Sequence, residues 1–354
     1  MVGFSQLLKE AVDKKASDIF IVSGLGLSLK CGGEIQSCDG SILLPEDTER
    51  IIKEAYVLAG RDPVRLLDNG DDDFSVSVKG LSRFRISAYK QRGSLAAVIR
   101  IVPFDVPGYK DLNIPEDVMS ISEKTKGLVL VTGPAGGGKS TTLACIISRI
   151  NNNRNGHIIT LEEPIEYLHR NVKSIISQRE VRADTEGYVP ALRAALRQSP
   201  DVILVGEMRD YETISTAMTA AETGHLVIST LHSVGAANTV NRIIDVFPSN
   251  QQQQIRVQLS QLLQSVISQK LIPAVNGKLV PAFEIMHCNN AIRNMIRESK
   301  VHQIDTVINA SAASGMISMD NNILNLYKSE VISKENALAF AESPELMERK
   351  LVNQ

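Results

Sequence analysis

Tryptophan is absent from the 354-residue chain, and all aromatic residues together make up only 4% of it. Proteins that bind single-stranded nucleic acid stack bases on aromatic side chains, so this chain is poorly supplied for that role. Positive charge is not in excess either, because 38 basic residues face 40 acidic ones and the formal net charge is −2. Since affinity for nucleic acid comes mainly from neutralised phosphates, no nucleic-acid partner is expected.

Paired cysteines and long apolar runs are also missing. The four cysteines form no C-x-x-C pair, and Cys31 and Cys38 are expected to be free thiols in a chain of this size. No run approaches the ~20 apolar residues that a membrane-spanning helix needs. The N-terminal residues have apolar side chains at helical spacing, interrupted by charges, which predicts an amphipathic helix and not a secretory signal. We therefore expect a cytoplasmic protein without a membrane span.

The length favours two domains. Residues 1–104 alternate short strand-like and helix-like runs, and residues 105–118 form the expected linker because Pro, Gly and Asp are concentrated there. Residues 119–354 contain short apolar runs separated by helical patterns, ending in a helical tail from about residue 290. The apolar runs are "GLVLVTG", "HIITLEE", "DVILVG" and "HLVIST". Such runs predict an α/β fold with a parallel sheet covered on both faces.

A phosphate-binding loop is predicted at residues 133–140, "GPAGGGKS", which fit the pattern G-x-x-x-x-G-K-[ST] between a strand and a helix. The small residues let backbone amides surround a phosphate at the helix N-terminus. Lys139 would reach the β- and γ-phosphates, and Ser140 would hold Mg²⁺. The pattern therefore predicts a bound nucleoside triphosphate. The residues expected to contact it are Gly133, Pro134, Ala135, Gly136, Gly137, Gly138, Lys139, Ser140 and Thr141.

Carboxylates follow two of the predicted strands. Glu207 comes directly after "DVILVG", where an acid can hold the water shell of Mg²⁺ or polarise an attacking water. Glu162, Glu163 and Glu166 follow another strand. The spacing does not rank these three, and at least one of them is expected to be only a solvated or helix-capping charge.

Five motifs in this order resemble the traffic ATPases of the secretion superfamily, and among them the retraction ATPases of type IV pili. They are "GPAGGGKSTT", "LEEPIEYLH", "ALRQSPDVILVGEMRD", "AETGHLVISTLHS" and "NRIIDVFP". The resemblance implies a PAS-like domain at 1–104 and a RecA-like P-loop ATPase domain at 119–354. It also implies a homo-hexamer that hydrolyses ATP to ADP and phosphate, with ATP held between domains. The implied partner is the inner-membrane pilus platform protein, which places the motor at the inner face of the membrane, at the pilus base.

The resemblance also implies roles for single residues. Glu207 corresponds to the Walker B acid, and Glu162–Glu166 to the family's "Asp box", with Glu166 as the general base. Four arginines match residues that reach towards the nucleotide, where an arginine can neutralise the γ-phosphate. The alternative, that each is a solvent-facing residue of its strand, stays open. They are Arg83, Arg85, Arg92 and Arg100.

Four residues differ from the commoner family pattern, and one of them is Phe20 in "SDIFI", where a His is often seen. Ala135 and Gly137 replace Thr and Ser in the phosphate loop, and each loses a hydroxyl. Because such loops bind through their backbone, nucleotide binding is expected to survive. Glu163 replaces Asp and extends the carboxylate by one methylene, which bears on the turnover rate more than on the chemistry.

The sequence "AIRNMIRE" at residues 291–298 resembles the signature of retraction motors, which favours a motor for retraction over one for extension or secretion. From spacing alone it is a packed helix with Arg293 and Arg297 in solvent; the resemblance implies that it couples ATP turnover to retraction. Extension and secretion motors usually carry a four-cysteine zinc insertion, which this sequence lacks. A related extension or secretion motor, a nucleic-acid-dependent NTPase and a non-hydrolysing paralogue remain as alternatives.

Two histidines flank the strand-like run in "AETGHLVISTLHS". Seven residues of strand span roughly 20 Å, so His225 and His232 cannot share a metal or act as one acid–base pair. His232, at the carboxyl end of the strand, lies where phosphates are expected and is a candidate sensor of the γ-phosphate. His225 is expected to be structural or to contact an adjacent element, although the resemblance marks both as the family's "His box".

Overall fold

The computed structural model describes residues 3–38 and 41–352 with their side chains, and residues 39–40 by their backbone alone. The chain divides into two units. The first runs as far as Asp105 and includes Glu166–Leu168, and the second comprises Val106–Ile165 and the chain from His169 onward.

The first unit is an antiparallel six-stranded sheet with helices. Its strands are β1 (Asp18–Ile21), β2 (Gly26–Cys31), β3 (Glu34–Ile42), β4 (Asp71–Val78), β5 (Ser82–Gln91) and β6 (Ser94–Val102), and its helices are α1 (Phe4–Asp13), α2 (Pro45–Ala59) and α3 (Val64–Asn69). The order across the sheet is β3-β2-β1-β6-β5-β4. The predicted N-terminal amphipathic helix is confirmed as α1, which buries its apolar side chains.

Strand β5 shows how the sequence sets this sheet. Phe84 and Ile86 are fully buried on the core face, while Arg83 and Arg85 alternate with them on the other face. The connection from β5 to β6 is the two-residue turn Arg92–Gly93, with φ of 47° and 80°. Positive φ at both turn residues matches the twist of a tight two-residue hairpin.

The second unit is a seven-stranded sheet with helices. Its strands are β7 (Gly127–Thr132), β8 (His157–Glu162), β9 (Ile175–Glu180), β10 (Val202–Val205), β11 (Leu226–Leu231), β12 (Leu263–Pro273) and β13 (Leu279–His287). Its helices are α4 (Glu116–Met119), α5 (Lys139–Asn153), α6 (Tyr188–Ala195), α7 (Tyr211–Glu222), α8 (Ala236–Asp245), α9 (Gln252–Leu262), α10 (Asn290–Arg297), α11 (Ile304–Ala310), α12 (Met319–Lys328), α13 (Lys334–Phe340) and α14 (Pro344–Val352). The order across the sheet is β13-β12-β7-β11-β10-β8-β9.

The centre of this sheet is parallel and buried on both faces. Strand β7 pairs in parallel with β11 and with β12, and β10 pairs in parallel with β8 and β11. Every residue of β7, β10 and β11 is buried. The prediction of an α/β fold with a covered parallel sheet is therefore confirmed. The edge strands β9 and β13 and the inner strand β12 were not predicted. Strand β12 starts directly after α9, without a glycine or proline to mark the change.

The composition predicts residues 105–118 to be a linker, but in the structure most of this segment is packed into the second unit. From Val106 onward they belong to the second unit, and Ile114 and Val118 are buried in its core. Apolar side chains between the prolines and glycines pack against α5 and its neighbours, so most of the segment covers the sheet. In the described part of the chain, no helix is both long and apolar enough to cross a membrane.

Asp72 is a buried acid of the first unit with charged and polar partners. It is 1% exposed, accepts a hydrogen bond of 3.0 Å from the Tyr56 hydroxyl and lies 3.3 Å from Arg61 Nη2. Burial, together with Asp72, raises the pKa of Tyr56 above its ordinary value of 10. The carboxylate therefore ties α2 to β4.

We expect Asp72→Ala to lower the free energy of unfolding by about 2 kcal/mol, because the Tyr56 hydroxyl loses its buried acceptor. Chemical denaturation followed by circular dichroism measures the change. The exposed neighbour Asp71 offers a matched control, and Asp71→Ala should change stability by less than about 0.5 kcal/mol. Equal losses in the two variants would contradict this role of Asp72.

Candidate nucleotide-binding site

The phosphate loop leaves the end of β7 and enters α5, and its backbone requires glycine. Gly136 and Gly138 have φ of 72° and 83°, in the left-handed region that favours residues without a Cβ. At Gly133 a Cβ would lie 2.1 Å from the backbone oxygen of Gln269. Only glycine fits at this position, because the backbone of β12 packs directly against the loop.

Lys139 is the first residue of α5 and is folded back onto the loop. Its Nζ donates hydrogen bonds to the backbone oxygens of Gly133, at 2.9 Å, and of Pro134, at 2.8 Å. Burial lowers the pKa of Lys139, while the negative charge of Glu207 acts in the opposite direction. The ammonium group is thus held at the mouth of the loop by two neutral acceptors. An anion offers it stronger, charge-assisted bonds than these carbonyls do.

Glu207 follows β10 and lies beside an arginine and a histidine. Its Oε1 lies 2.7 Å from Arg209 Nε, and its Oε2 lies 3.4 Å from His232 Nε2. Only 16% of the Glu207 side chain is exposed. Because the carboxyl ends of β7, β10 and β11 meet at one sheet edge, Lys139, Glu207 and His232 come together there. His232 and Arg209 also line a cavity of about 620 Å³, with Arg242 on its wall.

The carboxylates after β8 have three different environments. Glu162 accepts hydrogen bonds from Thr160 Oγ1 at 2.6 Å and from Gln178 Nε2 at 3.3 Å. Glu163 pairs with Arg182 at 2.8 Å. Glu166 lies in the short segment that belongs to the first unit. Their surroundings therefore distinguish them, although their spacing in the sequence does not.

Tyr188, at the start of α6, is a member of this site that the sequence analysis missed. Its hydroxyl lies so close to Gly206 that a Cβ there would be 2.9 Å away. Burial raises its pKa above the ordinary 10, and Glu207, Glu163 and Glu162 add to the effect. The hydroxyl thus stays protonated near these carboxylates. Helical periodicity accounts for this tyrosine as a packing residue, so nothing in the pattern marked it.

His225 is not brought to this edge. It precedes β11 at the opposite end of the strand from His232, and its Nδ1 lies 3.0 Å from the Ala220 oxygen and 3.1 Å from Thr223 Oγ1. Both partners belong to the C-terminal end of α7, so within this chain His225 ties α7 to the start of β11.

The four candidate arginines all belong to the first unit. Arg100 pairs with Asp18 at 3.0 Å, and Arg83 donates to Ser77 Oγ at 3.2 Å. Arg85 stands opposite Arg100 in the sheet register, beside Asp18 in a shallow cavity of about 200 Å³. Arg92 is exposed in the hairpin turn. Arg83, Arg85 and Arg100 therefore share the face of the sheet opposite the core.

A magnesium ion at this site would have few protein ligands. Within the described residues, no group of three or more His, Cys, Asp or Glu side chains could hold a metal. Mg²⁺ usually takes one or two protein ligands and completes its shell with phosphates and water. The exposed Ser140 hydroxyl and the Glu207 carboxylate fit that pattern.

Glu284 supports the loop that carries His232. This acid on β13 is 4% exposed and accepts a hydrogen bond of 2.6 Å from the Ala236 amide at the start of α8. The neighbouring Gly235 amide donates to Ser268 Oγ at 3.0 Å. Burial raises the pKa of Glu284 to about 7, with Glu342 and Asp305 adding to the rise. A buried acid therefore fixes the start of α8.

Comparison with known proteins gives consistent matches over the whole chain. The model of the family described as "Type II/IV secretion system protein" matches residues 3–343. The type IV pilus retractation ATPase PilT of Pseudomonas aeruginosa is 42% identical over 344 residues, 97% of this chain and 99% of that protein. A twitching motility protein of Neisseria gonorrhoeae is 47% identical over 280 residues, 79% of this chain and 75% of that protein. The crystal structure of the pilus retraction motor PilT with bound ADP has a TM-score of 0.90 at 44% identity, covering 99% of this chain and 100% of that one.

The raised pKa of Glu284 makes stability depend on pH in a defined direction. Between its ordinary value of 4.5 and about 7, the native state holds this proton more tightly than the unfolded state does. The stabilisation is therefore complete below pH 4.5 and is lost as pH rises through 7. We expect Glu284→Gln to match the wild type near pH 5 and to exceed it by on the order of 2 kcal/mol at pH 8.

Denaturation at several pH values measures this difference. Glu212→Gln, at an exposed position of α7, is the control and should follow the wild type at every pH. If the free energy of unfolding depends on pH in the same way in Glu284→Gln and in the wild type, Glu284 is not the cause of the pH dependence.

Proposed function

We propose that this chain, which belongs to the type II/IV secretion system protein family, is an ATP-hydrolysing motor that powers retraction of type IV pili. One observation carries the proposal: 97% of the chain aligns with 99% of a type IV pilus retractation ATPase at 42% identity. The phosphate loop and the acids after the strands supply the chemistry that this activity needs.

Binding of ATP begins with the exchange of partners at Lys139. The ammonium group that now bonds the Gly133 and Pro134 oxygens moves onto the β- and γ-phosphates, while the loop amides and the α5 N-terminus hold the remaining oxygens. Mg²⁺, held by Ser140 and Glu207 with the phosphates, would supply charge that neutralises the phosphate oxygens. Gly136 and Gly138 allow the loop to keep this shape.

Hydrolysis requires a base that orients water against the γ-phosphate. The resemblance assigns that role to Glu166, with Glu207 as the Walker B acid. His232 bonds Glu207 and can report the presence of the γ-phosphate through it. Glu162 and Glu163 have partners of their own in the structure, which fits supporting roles. The arginines of the first unit would neutralise charge on the departing phosphoryl group.

The assembly is the next part of the proposal. We propose a homo-hexamer that acts at the inner face of the membrane against the pilus platform protein, by analogy with the retraction motors that the chain resembles. Extension and secretion motors with a zinc insertion fit less well, because the four cysteines are dispersed along the sequence and form no C-x-x-C pair.

Helix α10 is the candidate element for coupling to the pilus. Ile292 and Ile296 are fully buried and hold it on the core. Its two arginines differ, since Arg293 Nη1 donates to the backbone oxygens of Ser260, at 2.6 Å, and Gln261, at 2.8 Å. Arg293 thus caps the C-terminal end of α9 and is not the solvated residue that its spacing predicts. Arg297 is exposed on the helix surface, where its Nη2 donates to Asn294 Oδ1 one turn earlier, and from there it can meet a partner protein.

Lys139→Ala should abolish ATP hydrolysis, because the phosphates lose their cation, and Glu207→Ala should do so without loss of nucleotide binding. Phosphate release by protein of measured oligomeric mass tests both. Lys126→Ala, at an exposed position before β7, is the control and should keep full activity. Near-normal hydrolysis in either site variant would refute the proposed chemistry.

Arg297→Ala should keep ATPase activity and stability but fail to restore twitching in a deletion strain. Arg293→Ala should instead lower the melting temperature, because two carbonyls at the end of α9 lose their donor. Arg349→Ala, on the exposed side of α14, should change neither property. Normal twitching with Arg297→Ala would remove that residue from the coupling surface.

A further inference from the structure

Gln269 is a buried polar residue of β12, where it is only 2% exposed. A buried amide is costly unless its polar atoms find partners, so its position requires an explanation. The neighbours of its side chain belong to the phosphate loop and to α5, the helix that follows the loop.

The side chain of Gln269 reaches the first turn of α5. Its Oε1 accepts a hydrogen bond of 2.7 Å from Thr142 Oγ1, and Thr142 is itself 1% exposed. Its Nε2 lies so close to Gly138 that a Cβ there would be 2.7 Å away. One amide therefore contacts both the last glycine of the loop and the helix that the loop enters.

The backbone of Gln269 supports the beginning of the same loop. Its carbonyl oxygen would lie 2.1 Å from a Cβ at Gly133 and 3.3 Å from one at Gly137. The sheet register explains this placement, because Ser268 pairs with Thr132, the last residue of β7. As β7 ends and the chain turns away, the next residue of β12 lies directly against the turn.

We propose that Gln269 is a positioning residue that holds the phosphate loop and the first turn of α5 in the shape that receives a nucleotide's phosphates. It acts through Gly138 and Thr142 and does not itself touch the nucleotide. Its amide fixes the distance between β12 and α5, which the loop amides must keep to converge on one phosphate. The inference rests on the proposed nucleotide-binding function.

The decisive variant is Gln269→Met, which keeps the length and bulk of the side chain but loses the hydrogen bond from Thr142 Oγ1. We expect its Kd for ADP labelled with a fluorescent N-methylanthraniloyl group to rise on the order of tenfold, since the buried Thr142 hydroxyl is left without an acceptor. The KM for ATP should rise with it, while kcat changes less, because the catalytic carboxylates are untouched. Titration of the full-length protein and steady-state phosphate release measure the three constants.

A matched control lies on the same strand. Gln264 is also on β12, and its Nε2 would lie 2.8 Å from a Cβ at Gly127, the first residue of β7. Gln264→Met therefore removes a similar amide at the end of β7 away from the phosphate loop. Its Kd should equal that of the wild type. If both variants weaken binding equally, the effect is a general loosening of β12 and the inference is wrong.

Thr142→Val tests whether Gln269 acts through its partner. Alone it should also weaken binding, by roughly threefold, because the buried Gln269 oxygen loses its donor. Combined with Gln269→Met it replaces a hydrogen-bonded pair by an apolar pair, so the double variant should bind more tightly than Gln269→Met does. If Gln269→Met does not fold, the Kd of Thr142→Val for the labelled ADP is the deciding measurement. A Kd equal to that of the wild type would then overturn the inference.

The result for wild-type protein separates this inference from the function on which it rests. Wild-type protein that binds the labelled ADP, together with Gln269→Met that binds equally well, overturns the role of Gln269 alone. Wild-type protein that does not bind the probe refutes the nucleotide-binding function, and this inference with it.

Discussion

The parallel pairing of β7 with both β11 and β12 is the constraint on which the site depends. It brings the phosphate loop, His232 and Gln269 together, because β7 and β11 end side by side and Ser268 of β12 pairs with Thr132, the last residue of β7. The loop must then turn within the space that β12 leaves. A glycine at position 133 is therefore a consequence of strand register and not only of phosphate chemistry.

Lys139 and Glu207 already have partners at the ends of these strands, and a bound nucleotide would replace some of those partners. Lys139 is bound to neutral carbonyls of its own loop, whereas Glu207 is bound by Arg209 and lies near His232. In the function that we propose, a phosphate would compete for Lys139 and a metal for Glu207. Since His232 and Arg209 both contact Glu207, a change at this one carboxylate would reach the ends of two strands.

The central strands, the phosphate loop and the position of Glu207 could be predicted from the sequence, because short apolar runs separated by helical patterns and the glycine-lysine pattern between a strand and a helix are local signals. It could not rank Glu162, Glu163 and Glu166, whose partners come from distant segments. Tyr188 and Gln269 were missed for a related reason: each is distinguished only by residues that lie close to it in space, Gly206 for Tyr188 and Thr142 for Gln269. Strand β12 itself was not predicted, so nothing in the sequence marked Gln269 as buried.

In the proposed mechanism, Lys139 exchanges its own loop carbonyls for nucleotide phosphates near Glu207 and His232. A structure determined with Mg²⁺ and a non-hydrolysable ATP analogue is the decisive test of this exchange. We expect phosphate oxygens within hydrogen-bonding distance of Lys139 Nζ, with the Gly133 and Pro134 oxygens released and the γ-phosphate facing Glu207. A nucleotide bound elsewhere, or a Lys139 that still bonds both carbonyls beside a bound triphosphate, would contradict it.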